Sequence, residues 1–454
     1  MARTPTTTTA ADGLGEPRWI TVLALSVLAT AAMCFPSWPG FMSFDSMFAY
    51  RQSLEGVRTM LWPPLHSYMF WVSGRLGLGV GGVLVFQTFL LFASTGLILH
   101  LLVRGRIMAL ALCALFAALI VIFPTLLGSM LVQWRDVPTA SFTLAGVAFW
   151  LLAARHNAPL LLAPAAAAFG CAVALRYNAV VLVAFALALM AWSPLLGRPS
   201  RFARPFAVLC VVAALGTAWA STQWRLPDLK RMAAPNSFAG TQAFDLAGVS
   251  ACADHNYLTP SMTGGAALSA YHIRRHYDPR HLNLTFQPKP DVPPIVDSDR
   301  QGRLTTAWRE AILREPACYL SHRSTVFMEQ MGVSEHGVFY PIHGVIDPNP
   351  YGLKVANPPY AALVSAYVQT TADAVWRRPI WLYALAAVLV AGAILRDRRP
   401  APLLLSLLTG AYAYAGILFL VSPAADARYI FPSNVICAVL IAATLGIIAQ
   451  GQRR

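Results

Sequence analysis

Pro39-Gly40-Phe41-Met42-Ser43-Phe44-Asp45-Ser46-Met47-Phe48-Ala49-Tyr50-Arg51-Gln52 follows directly on an apolar run, Trp19 to Phe35, and is closed by Trp62-Pro63-Pro64-Leu65-His66. Apolar sequence resumes near residue 80. A carboxylate, Asp45, stands here among Phe41, Phe44, Phe48 and Tyr50. Pro63-Pro64 reopens a helix, because Pro is tolerated in a first helical turn. The helix that follows, Leu65 to Leu76, is too short to cross ~30 Å of hydrocarbon and reads as interfacial. Asp45 admits two readings. It is a general-base candidate whose carboxyl the membrane–water boundary and its aromatic neighbours would raise, or, with Ser43, a cap for a helix through Tyr50 and Leu54.

Composition supports a bilayer around this stretch. Hydrophobic residues make up 57% and charged residues 12%, against roughly 25% charged in a soluble domain. Mean hydropathy is +0.55, and 12 Trp suit the aromatic belts of a polytopic membrane protein. The net charge of +14 does not mark a nucleic-acid binder. A polar region, 222–378, holds 15 Lys and Arg against 13 Asp and Glu, so most of the excess flanks the apolar runs. The first run lacks a small-residue cleavage pattern and reads as an uncleaved signal-anchor behind a disordered cytoplasmic tail, 1–18.

Apolar runs fall near 19–36, 80–103, 107–126, 138–154, 159–175, 178–193, 206–221, 379–395, 401–421 and 429–449. The expected fold is mainly α, with about ten transmembrane helices. Seven spans lie in 19–221, with outer loops at 37–79 and 127–137. An extracytoplasmic domain, 222–378, is inserted between helices 7 and 8, and 379–454 supplies three spans and a short cytoplasmic tail. The bias of Arg toward one set of short loops puts the N-terminus in the cytoplasm. Within 222–378, helices are expected at 265–277 and 303–331, with no alternation that announces a large sheet. Cys252 and Cys318 share this outer compartment, where disulfides persist, and a bridge between them is one hypothesis.

The acids of the membrane part complete the pattern. Asp12, Glu16 and Asp397 fall on the cytoplasmic side, whereas Asp45, Glu55, Asp136 and Asp426 fall in outer loops. None is mid-span, where a coupled transporter ordinarily keeps its ionisable groups. Trp134-Arg135-Asp136-Val137-Pro138 opens the fourth span, Arg176-Tyr177-Asn178 makes a tight outer turn, and Asp426-Ala427-Arg428-Tyr429 opens the last span. Each has an anchoring alternative, with Arg snorkelling and Asp capping. Their common sidedness favours a phosphate held by planar guanidinium forks. His272 and His276 have helical ligand spacing without the Glu of a zinc-protease helix and read as a solvated face. Asp297-Ser298-Asp299, the sequon Asn283-Leu284-Thr285, and His322, His336 and His343 carry no comparable signal.

The order of these motifs resembles the GT-C superfamily of polytopic glycosyltransferases. The resemblance rests on an acid in the first outer loop before an aromatic/Arg helix (Phe44-Asp45-Ser46 … Tyr50-Arg51) and on Pro63-Pro64-Leu65-His66. It also includes an acidic second loop, a late outer domain and Asp426-Ala427-Arg428-Tyr429 before the final span. It covers the membrane part and hardly touches the outer domain. It implies a polyprenyl-phosphate-linked sugar donor, Asp45 as catalytic base or metal ligand, and Asp136 as its partner. Arg51, His66, Arg135, Arg176, Tyr177, Asp426, Arg428 and Tyr429 are then substrate- and phosphate-binding residues. Two departures weaken a divalent-cation site: Ser46 stands where relatives place a second acid, and Trp62 where they place a charged residue or His. The implied setting is a bacterial inner membrane with the large domain periplasmic. The acceptor is a cell-envelope glycan or lipid such as lipopolysaccharide, with a pilin-like protein as the alternative. A lipid-linked-glycan flippase is the alternative from another class.

Overall fold

The computed structural model describes residues 17–55, 64–103, 105–156, 158–192, 212, 216, 238–259, 268–281 and 303–451. The described helices are α1 (Pro17–Ser37), α2 (Phe44–Glu55), α3 (Leu65–Arg75), α4 (Gly81–Leu102), α5 (Arg106–Ile122), α6 (Pro124–Met130), α7 (Asp136–His156), α8 (Leu162–Leu175) and α9 (Val180–Trp192). They continue with α10 (Ala239–Ala253), α11 (Ala270–His276), α12 (Arg303–Arg314), α13 (Pro316–Gln330), α14 (Pro358–Ala372), α15 (Pro379–Arg396), α16 (Ala401–Val421) and α17 (Phe431–Gly451). Among the described residues, extended pairing is limited to isolated bridges.

The chain is a polytopic helical membrane protein. Among the described residues, six stretches are long and apolar enough to cross a membrane: Ile20–Ser37, Gly81–Leu102, Asp136–His156, Pro379–Arg396, Ala401–Val421 and Ala427–Gln450. The run expected near 107–126 is broken, since α5 and α6 meet at 92°. Pro124 causes the break: it lacks an N–H, disfavours helix at the residue before it, and suits the first turn of a new helix. The runs near 159–175 and 178–193 are shorter apolar helices, described over Pro159–Leu175 and Tyr177–Ala186. The expected span at 206–221 lies almost wholly outside the described residues, as do most of the tail, Trp62-Pro63, Asn283-Leu284-Thr285 and Asp297-Ser298-Asp299. The central helices are α7, packed on α4 and α8, and α17, packed on α15, α16 and α5. α7 carries Asp136 in its first turn and Arg155 and His156 in its last, which matches the helix dipole at both ends.

Three segments remote in sequence are stitched at one end of this bundle. Phe41 N–H donates to Leu131 O at 3.0 Å and Gln133 N–H to Phe41 O at 2.9 Å. On the other edge, Met42 N–H donates to Val345 O at 3.0 Å and Asp347 N–H to Met42 O at 2.9 Å. Phe41 and Met42, both fully buried, thus sit in a miniature three-stranded parallel arrangement with Val132 and Ile346. Gly40 makes the entry with φ +115°. Gly128 on α6 lets the Pro341–Ile342 segment approach, because a Cβ there would strike the Pro341 carbonyl.

Between the helices of the bundle, α10, α11, α12 and α13 pack around Leu246, Val249, Leu258, Ile273 and Leu304. The helix expected over 303–331 is divided at Glu315, because Pro316 starts a new helix and cannot continue the old one. Cys252 and Cys318 form a disulfide. Buried Asp245 on α10 accepts from Trp308 Nε1 at 2.7 Å and pairs with Arg323 at 2.6 Å. Arg323 donates in turn to Ser422 O at 2.7 Å, which ties this region to the end of α16.

At Gly40 an added Cβ would lie 2.7 Å from the Gln133 side chain, on a backbone that L-residues avoid. Gly40→Ala is expected to cost about 1–3 kcal/mol, read as a lowered unfolding temperature in detergent. Gly392→Ala, where the space is open, is expected to be neutral or stabilising by a fraction of ~1 kcal/mol.

Candidate functional site

A cavity of about 550 Å³ opens beside the stitched segments, lined by Ser43, Phe44, Asp45, His281, Phe339, Tyr340, Asp347, Asp426 and Arg428. Each wall has a sequence cause. α2 begins at Phe44, so Asp45 stands in its first turn, where a carboxylate is favoured. Asp426 precedes a 3₁₀ turn, Ala427–Ile430, that leads into α17. Tyr340 and Asp347 belong to the segment held by Met42.

Arg428 is the hub. Its Nη1 lies 2.7 Å from Asp45 Oδ2 and its Nε 3.1 Å from Asp426 Oδ2. The guanidinium stacks 4.8 Å above the Trp134 ring and 5.1 Å from that of Tyr429. Trp134 is itself fixed by donating to Ser43 Oγ at 2.8 Å. Burial alone would raise the Asp45 carboxyl, but Arg428, then Arg135, then Arg176 outweigh it and hold the group below its ordinary value. Asp45 is therefore an ionised, weakly basic carboxylate in this arrangement. The expectation that boundary burial raises it is corrected, and the reason is its cationic neighbours.

Arg135 is half-buried behind Asp45 and makes no ion pair with a described residue. A gap the size of about one water separates it from Asp45, His66, Gln133 and Arg428. His66 is buried with Nε2 unpartnered. Burial first, then Arg135, against the pull of Asp45, pushes it down to about 3, so it is neutral.

Other expected site residues are placed elsewhere. Asp136 and Arg176 form an ion pair with each other, both buried, and neither lines the cavity. Asp136 is drawn inward because it starts α7, and Arg176 sits at the facing break between α8 and the 3₁₀ turn Tyr177–Ala179. The structure thus places Asp136 and Arg176, expected as Asp45's partner and as a phosphate-binding residue, in an internal pair outside the cavity lining. Arg51 is exposed and bonds Glu55 one turn on, at 2.8 Å, away from the cavity. Tyr177 is exposed and also outside the lining. Tyr429 is buried, with Arg176 4.8 Å from its ring on one side and Arg428 on the other. It couples the internal pair to the cavity wall.

His281, Phe339, Tyr340 and Asp347 were missed in the sequence, and His343 was passed over. Their segments carry no helical or strand period. The usable signal was a His and an Asp four apart, His343 and Asp347, beside Asp347-Pro348-Asn349-Pro350. Among the described residues, no group of three or more His, Cys, Asp or Glu is arranged to hold a metal ion. The arrangement offers Arg428, flanked by Asp45 and Asp426, for an anionic group, and the remaining lining, Asp347 and the rings of Phe44, Phe339 and Tyr340, for a polyhydroxylated one.

No protein-family profile matches the sequence, and no curated protein is significantly similar. Three solved structures match, each with a TM-score below 0.5. One is the archaeal oligosaccharyltransferase AglB from Archaeoglobus fulgidus in complex with an inhibitory peptide and a dolichol-phosphate. It shows 14% identity over 95% of this chain and 50% of that one, with a TM-score of 0.44. A second is the Archaeoglobus fulgidus oligosaccharyltransferase complex with Zn and sulfate, at 14% identity, 95% and 49% coverage and a TM-score of 0.44. A third is ArnT from Cupriavidus metallidurans bound to undecaprenyl phosphate, at 14% identity, 96% and 79% coverage and a TM-score of 0.33. The chain spans about half the length of the first two.

Removing one partner of a buried ion pair strands the other charge. Asp136→Asn is therefore expected to destabilise by about 3–5 kcal/mol. Asp136→Leu with Arg176→Met is expected to recover most of that loss. Thermal unfolding of the single and double variants in detergent measures both, and an additive double variant contradicts the pairing.

Proposed function

We propose that this protein transfers a sugar from a polyprenyl-phosphate donor to a hydroxyl of a cell-envelope glycan or lipid at the membrane–water boundary. The observation that carries the reading is Arg428. A guanidinium braced by two carboxylates and an indole face stands in a cavity at the start of a membrane-length helix, beside an unpaired Arg135. A lipid phosphate needs a fixed cation at that depth, where its tail enters hydrocarbon and its head group stays in water. The bilayer itself is then a partner of the reaction.

In this reading the donor phosphate lies against Arg428, and Arg135, behind Asp45, adds its positive field without touching it. The sugar extends toward Asp45, Asp347 and Asp426, whose oxygens accept from its hydroxyls, and Phe44, Phe339 and Tyr340 pack against its C–H faces. The cavity wall is acidic as a whole, so the phosphate's charge is met at the Arg end only. An acceptor oxygen attacks the anomeric carbon, and the C–O bond to phosphate breaks with its electron pair on the phosphate. Arg428 and Arg135 stabilise that growing charge where water is largely excluded. In-line attack inverts the anomeric carbon. Asp45 is a catalytic carboxylate here. One oxygen holds Arg428 on the leaving group, and the other is available to the transferring sugar or to the incoming hydroxyl.

Membranes carrying the protein, given radiolabelled undecaprenyl-phosphate sugars, are expected to move label from the lipid to a non-lipid or envelope acceptor. Arg428→Ala is expected to reduce this about 10²–10³-fold. Arg428→Lys should recover little, because the planar fork is lost. Asp45→Asn should fall by a similar factor of about 10². Label that crosses vesicles without leaving its lipid identifies a transporter instead, and near-wild-type discharge by Arg428→Ala sinks the assignment.

A further inference from the structure

Along the same cavity wall runs a line of polar contacts, Tyr340–His343–Asp347, to which the reading above gives no acid–base role. Tyr340 Oη is 2.5 Å from His343 Nδ1, and His343 Nε2 is 3.0 Å from Asp347 Oδ1. Tyr340 and Asp347 line the cavity and His343 lies half-buried between them. One tautomer of His343 suits a relay. A neutral imidazole with Nε2–H directed at the carboxylate leaves Nδ1 to accept from the phenol.

The scaffold around this line is unusually constrained. Tyr340 has φ +53°, a left-handed backbone that a bulky non-glycine residue takes only under constraint, and such residues concentrate at working sites. Its ring lies 5.9 Å from that of Trp134, the platform under Arg428. Asp347 N–H is bonded to Met42 O, in the same segment that delivers Asp45. Asp45 and this line therefore face one cavity from two edges of a single stitched unit. Asp45 is neutralised by Arg428 and is a poor base. An acceptor hydroxyl in the cavity needs another.

We infer that Tyr340, His343 and Asp347 form the proton relay that activates the acceptor hydroxyl, with Tyr340 the catalytic group that touches it. The inference rests on the sugar-transfer reading. As the acceptor oxygen forms its bond to the anomeric carbon, its proton passes to Tyr340 Oη while the phenol's own proton passes to His343 Nδ1. The bond from sugar to phosphate breaks and its electron pair leaves on the phosphate. The resulting imidazolium is held by Asp347 and later gives its proton to water. Tyr340 is a phenol again at the end, and charges and atoms balance.

The relay needs His343 neutral before reaction. Burial lowers the imidazole first, Asp347 raises it, the Met42 backbone raises it slightly and Arg428 lowers it, and the balance lies below the ordinary histidine value. Tyr340 itself is pushed up to about 12, by burial first, with Arg428 opposing and Asp426, Asp347 and Asp45 adding, so it enters the reaction as a phenol. Transfer should therefore fall with pH only below the usual histidine range.

The test uses the full-length protein in proteoliposomes with radiolabelled undecaprenyl-phosphate sugar. Binding of undecaprenyl phosphate is followed separately by tryptophan fluorescence. Tyr340→Phe is expected to bind the lipid phosphate within about twofold of wild type while turnover falls by about 10²–10⁴. Asp347→Asn is expected to move the acid limb of the rate profile to lower pH, because it removes the group that raises His343, and His343→Gln to abolish that limb. A merely structural role would not move the limb. Tyr340→Phe turning over within threefold of wild type, or a limb unmoved by Asp347→Asn, overturns the relay and leaves the transferase reading standing. A wild-type protein that binds undecaprenyl phosphate and discharges no sugar overturns both.

Discussion

Two residues of extended backbone, Phe41 and Met42, hold the site together. Each has its amide and carbonyl bonded to a different partner segment, Leu131–Gln133 on one edge and Val345–Asp347 on the other. A backbone bond contributes only ~0.5–1.5 kcal/mol net. These four are buried where no solvent would replace them, so breaking one strands two polar groups. They also set register. A slip of one residue on Met42 would turn Asp347 off the cavity, and a slip on Phe41 would move Trp134 from beneath Arg428. Geometry that depends on three loops becomes geometry that depends on one short stitch.

On that frame the charges sort by what each can reach. Arg428 arrives on the last membrane-length helix, Asp45 on α2, and Trp134 just ahead of α7; the ion pair and the stacked ring form only because the stitch has already brought these elements together. The result is a cation that cannot drift and an Asp45 that cannot easily take a proton. A second cation, Arg176, would crowd the first had it no carboxylate of its own. Asp136 supplies one, and both guanidinium groups lie within about 5 Å of the Tyr429 ring. The internal pair is thus what allows two buried Arg to stand so close together.

The same sorting explains what could be read in the sequence. Apolar length announces spans, so the runs at 19–36, 80–103, 138–154 and the last three are recognisable as helices of membrane length. The sidedness of the acids brought Asp45, Arg135, Asp426 and Arg428 to one region, because loops on one face of a bundle must cluster. Sidedness does not say which carboxylate faces which Arg. Asp136 looked equivalent to Asp45, yet being the first residue of α7 turns it into the bundle, whereas Asp45 begins a helix outside it. Arg51 had Glu55 at the favourable helical spacing all along. Pro124 and Pro316 were legible breaks, and the expected helices ran through both.

Tyr340, His343 and Asp347 were the hardest to find, for a physical reason. Their segment has no period, since its backbone is bonded outward to Met42 and not to itself, and periodic burial is what a single sequence reveals. Its conformation is imposed by partners: Gly128 yields space to Pro341, and Met42 bonds at Val345 and Asp347. Without those partners a left-handed Tyr340 would relax, and the phenol would leave the imidazole. The acid–base chemistry proposed for this cavity would therefore be a property of contact between the membrane bundle and the Tyr340–Asp347 segment. A chain whose outer region is only loosely docked would keep Arg428 and Asp45 in place and lose the relay first.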